Sequence, residues 1–71
     1  MELIEHTESQ RMQREEAAER LRKLADELAR HNEVSFVRNG RQVTVSVPDE
    51  IEFKLEVEIG EEREVEIEIS W

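Results

Sequence analysis

The chain has 71 residues, with 19 Asp and Glu against 10 Lys and Arg for a net charge of −9, and it has no cysteine. A chain this short has room for one domain and buries only about 60 % of its unfolded surface; without thiols it has no disulfide framework, thiolate metal site or cysteine nucleophile. The acidic excess argues against nucleic acid as a partner, because phosphate binding calls for clustered Lys and Arg.

The charge is polarised. Residues 1 to 48 carry nine acids against eight bases, whereas from Asp49 onward ten acids face only Lys54 and Arg63. Glu supplies 17 of the acids, which suits solvated helix and strand faces better than a metal cage. Met1 to Glu5 lacks the basic n-region of a signal peptide, and no apolar run approaches the ~20 residues of a membrane helix. The expectation is a soluble, cytoplasmic protein with no membrane contact, forming a single α+β domain over residues 1–71.

Taken in order, Glu2 to Glu8 reads as a short strand with Ile4 inward. Gln13 to His31 reads as a helix: Ala17, Ala18, Leu21, Leu24, Ala25, Leu28 and Ala29 fall in one arc of roughly 140°. Glu15 and Glu16 in the first turn and Arg30 and His31 in the last suit the helix dipole. Glu16–Arg20, Glu19–Lys23 and Asp26–Arg30 stand at i, i+4 spacing for solvated ion pairs. Gln13 is a poor N-cap, though Glu16 is placed to reach back to it.

Glu33 to Val47 reads as a hairpin turning on Asn39-Gly40, the pair that a type I′ turn favours because both central residues need positive φ. That loop opposes Phe36 to Val43 and Val34 to Val45, apolar on apolar. Pro48 ends the strand. Ile51 to Trp71 then forms a second hairpin around Gly60, Glu61 and Glu62. Its period-2 alternation puts Ile51, Phe53, Leu55, Val57, Ile59, Val65, Ile67, Ile69 and Trp71 on one face. The resulting architecture is β-α-β-β-β-β: one helix on one face of an antiparallel, mostly meander sheet, the first strand pairing with the last.

The order of these features resembles the amphi-Trp domain family of small prokaryotic proteins. Glu15-Glu16-Ala17-Ala18 with Leu21, Leu24-Ala25 and Leu28, the Val45-to-Glu50 run Val-Ser-Val-Pro-Asp-Glu, and Glu-rich strands ending in Trp71 carry the likeness. It implies a fold and a prokaryotic origin, and brings no activity, cofactor or catalytic residue.

Candidate chemistry is sparse. His6 and His31 are the only imidazoles, and neither has the spacing of a zinc site. There is no Ser/His/Asp or Cys/His set and no Gly-rich phosphate loop, so we expect neither an enzyme nor a cofactor. Glu52, Glu56, Glu58, Glu64, Glu66 and Glu68 form two acidic rows on the open face of the second hairpin. The derived register sets Glu58 against Glu64 and Glu56 against Glu66, with only Lys54 against Glu68 as relief. Such a face is a solvated surface or, as the functional alternative, a site for cations or a basic protein partner. Trp71 shares its phase with Ile69 and Ile67; its ring either closes one end of the core or serves as a C-terminal anchor.

Geometry adds one more expectation. Five strands ~4.8 Å apart make a sheet roughly 20 Å wide, while a helix is only ~10 Å across. Apolar face is left over. Either the sheet curls round the helix, or a second copy covers the remainder as a homodimer.

Overall fold

The computed structural model describes residues 4–71 and contains one helix and four strands in the order α-β-β-β-β. Helix α1 spans Arg14–His31, one residue short of the expected start. Gln13 makes no side-chain cap; its carbonyl instead accepts from the backbone N–H groups of Glu16 and Ala17, both at 3.1 Å. At the other end Asn32 adopts a left-handed conformation, φ 54° and ψ 30°, the role Gly commonly fills after a helix. Of the three expected ion pairs only Asp26–Arg30 is made, at 4.0 Å. Glu19 pairs with Arg22 rather than Lys23, and Arg20 donates to Gln10 at 3.1 Å.

Strands β1 (Glu33–Arg38) and β2 (Arg41–Ser46) pair in the expected register, with Val34 opposite Val45 and Phe36 opposite Val43. Asn39 and Gly40 both have positive φ, 53° and 74°, as a type I′ turn requires. Val47 extends the pairing by donating to the carbonyl of Asn32 at 2.8 Å, which ties the end of this hairpin to the helix exit. Strands β3 (Glu52–Ile59) and β4 (Arg63–Ser70) pair as expected too, with Phe53 opposite Ile69, Leu55 opposite Ile67 and Val57 opposite Val65.

Two expectations are corrected. The four strands form two separate two-stranded antiparallel sheets, β1–β2 and β3–β4, rather than one meander. Pro48 has no N–H to give a ladder and ends β2, and the chain leaves it without pairing it to β3. The strand expected at Glu2–Glu8 is not formed by residues 4–8, while residues 2 and 3 lie outside the described residues. This segment runs beside β1 instead. The His6 ring stacks on Phe36 with centroids 4.5 Å apart, and Arg38 donates to the Glu5 carbonyl.

The helix meets only β1 among the strands. There Glu27 accepts a hydrogen bond from the Ser35 backbone N–H at 3.3 Å, satisfying a donor on the outer edge of the strand. The α+β class stands, but the helix lies along one strand rather than across a broad sheet. As a result no side chain among the described residues is fully buried. The radius of gyration is 14.0 Å, against about 11 Å for a compact domain of this length.

Candidate interaction surface

Because α1 covers β1 alone, the apolar face of β3–β4 is left open. It is exposed along its length, from Phe53 at 60 %, Leu55 at 58 % and Val57 at 59 % to Val65 at 65 % and Ile59 at 80 % beside the turn. Scattered apolar residues on a surface are ordinary, whereas a continuous exposed row of this size is not.

At the base of the hairpin the three parts of the molecule converge on one apolar cleft of about 350 Å³. Leu21, Leu24 and Leu28 come from the helix, Val34, Phe36 and Val45 from the first hairpin, and Ile67, Ile69 and Trp71 from the end of the chain. Alternation had assigned these residues to a common interior. What it did not reveal is that the interior stays open on one side. On the helix, Ala17, Ala18, Leu24 and Leu28 are half-buried while Leu21, Ala25 and Ala29 are exposed, so three of the seven residues of the apolar arc are left largely in solvent.

Trp71 lines this cleft in the expected phase, yet its residue is 59 % exposed. In the single chain the cleft leaves one side of the ring open to solvent.

The acidic residues stand where the register places them. Glu56 lies opposite Glu66 and Glu58 opposite Glu64, and all are exposed with Glu52 and Glu68. Lys54 is opposite Glu68 by register, but its ammonium sits 3.9 Å from Glu56 on its own strand. Glu64 feels the crowding most. A side-chain hydrogen bond with Glu66, then the Glu66 charge and, more weakly, Glu56 hold its carboxyl above the ordinary glutamate value. The folded state therefore binds this proton more readily than the unfolded chain. Stability should rise as pH falls from neutrality through the raised value, and the gain is complete below the ordinary pKa of about 4.3. In low salt, Glu64→Gln should reproduce much of this rise at neutral pH and flatten the pH dependence of the melting temperature; added salt should blunt the difference.

No group of three or more His, Cys, Asp or Glu side chains among the described residues is arranged to hold a metal ion. His6 lies 2.8 Å from Glu8, and His31 sits in the last turn of α1, remote from any second imidazole in sequence. No helix among the described residues is long and apolar enough to cross a membrane.

A model of the Amphi-Trp domain matches residues 2–71. The chain belongs to the Amphi-Trp domain family. No curated protein and no solved structure matches it. Within this Amphi-Trp domain the features named by the resemblance fall into distinct places. Leu21, Leu24 and Leu28 of the helix and Trp71 line the cleft, and the Val45-to-Glu50 run ends β2 and begins the connection to the second hairpin.

Proposed function

We propose that this Amphi-Trp domain is a small acidic protein-interaction module of the prokaryotic cytoplasm that works as a homodimer and carries out no catalysis. The observation that supports it is the exposed area. The single chain exposes 7091 Å², whereas a compact folded monomer of 8.5 kDa exposes about 4,700 Å². The excess of roughly 2,400 Å² is on the scale that each partner of an extensive, obligate interface contributes. A cytoplasmic setting is compatible with a sequence that has no cysteine.

Light scattering across a range of concentrations tests the reading. A dimer mass is expected at micromolar concentration, and a concentration-independent mass of 8.5 kDa would replace it with a monomer whose hairpin closes onto its own helix.

A second reading assigns the acidic face of β3–β4 to cations or a basic protein partner. The opposed pairs Glu56/Glu66 and Glu58/Glu64 support it, because diffuse positive charge from salt or a basic partner would relieve their repulsion. The two readings are compatible, since the Glu rows and the apolar row point to opposite sides of the same strands.

A further inference from the structure

We propose that in the dimer the turn end of each β3–β4 hairpin inserts into the apolar cleft of the other copy, a reciprocal exchange that rests on the dimeric reading above and specifies its contact. Three observations converge on it. Ile59 and Val65, the two most exposed residues of the apolar row, lie with Val57 at the turn end of the hairpin, away from the Ile67, Ile69 and Trp71 end that lines the cleft. The cleft itself, about 350 Å³, is more than twice the ~150 Å³ cavity that takes up a benzene ring, so it has room for two or three aliphatic side chains. Its helical wall continues into Leu21, Ala25 and Ala29, whose exposed and mostly short side chains leave space for a strand to approach.

The area also fits. Weighted by ordinary side-chain sizes, the exposed parts of Ile51, Phe53, Leu55, Val57, Ile59, Val65, Ile67 and Trp71 come to something on the order of 800 Å² per chain, what each side of a standard interface removes from water. Docking this face buries no carboxylate. Successive strand residues point to opposite sides, so the Glu rows of both copies stay in water and the cost of burying charge is avoided. One tip and one cleft per copy make a two-fold arrangement in which both contacts are satisfied and nothing is left to propagate a chain of molecules.

The alternative geometry is a sandwich in which the two β3–β4 faces pack on each other and the clefts stay empty. Complementation separates the two. Ile59→Lys disables the tip and Leu21→Glu disables the cleft wall, at positions 80 % and 51 % exposed in the single chain, so neither charge is buried within it. In the exchange, each variant alone should dimerise at least ~100-fold more weakly than wild type, as expected when a charge enters the centre of an interface. Mixing the two should restore the dimer and the far-UV circular dichroism, because the mixed pair keeps one tip and one cleft intact and sets Lys against Glu in the other contact. A Leu21→Glu variant that dimerises like wild type overturns the exchange, as does a mixture no better than its components. Either result leaves the dimeric reading standing, whereas a monomeric wild-type protein removes that reading itself.

Discussion

Dilution should unfold this protein, and its melting temperature should climb by roughly 5 °C for each tenfold rise in concentration. The estimate takes the entropy of unfolding two 71-residue chains at about 2.1 cal/mol/K per residue against the ~1.4 kcal/mol that each decade of concentration contributes to a dimer. The reason lies in the surface area. Against the roughly 12,300 Å² of an extended chain of this mass, an exposed 7091 Å² means that about 42 % is buried, well short of the ~60 % of small domains that fold alone. With no side chain fully buried among the described residues, little remains to offset chain entropy once the copies separate. Circular dichroism melts at several concentrations measure this directly. A melting temperature that does not move over two decades would mean that the hairpin folds back onto its own helix.

Local chemistry made most of the secondary structure legible. Asn39-Gly40 fixed one turn through its need for positive φ, and the turn in turn fixed the pairing of Phe36 with Val43. In the second hairpin, alternation and a loop at Gly60 were enough to pair every residue from Glu52 to Ile59. Both signals are short-range. What they could not convey is which sheet a hairpin joins, because that depends on contacts between distant elements. Pro48 shows the difficulty: it ends β2 whether the chain then returns beside β2 or leaves it, and here β3 leaves. The segment around Ile4 and His6 failed for a related reason. A strand forms only beside a free edge, and here the ring of His6 finds Phe36 instead.

The apolar row of the second hairpin was legible as a row but not as a surface. Phe53, Leu55, Val57 and Ile59 have the same phase whether a helix, a curled sheet or a second molecule covers them, so periodicity specifies a face and is silent about its cover. The width argument assumed one five-stranded sheet, which the two separate hairpins do not form; apolar face is left over for a different reason, because α1 reaches β1 alone. The acidic face was legible in full. Cross-strand register alone set Glu56 against Glu66 and Glu58 against Glu64, and only the drift of Lys54 toward Glu56 departs from the expected pairing.

Trp71→Ala should weaken the dimer by about 2–4 kcal/mol, or some 30- to 1,000-fold in dissociation constant, the effect of removing an aromatic anchor from the middle of an interface. In the single chain the residue is 59 % exposed, so a role confined to one chain would give a much smaller loss. It shares the cleft with Leu21, Leu24 and Leu28, however, and an inserted hairpin tip would close over its ring. As the sole tryptophan in the sequence, it reports on that closure without interference. At concentrations where light scattering gives a dimer, emission should be blue-shifted and shielded from iodide; on dilution it should shift to the red and become quenchable in step with dissociation. The mass and the spectrum must change together for the ring to lie in the contact. A stable dimer whose tryptophan emits to the red with full iodide access would place Trp71 outside the interface and leave it free for some other partner.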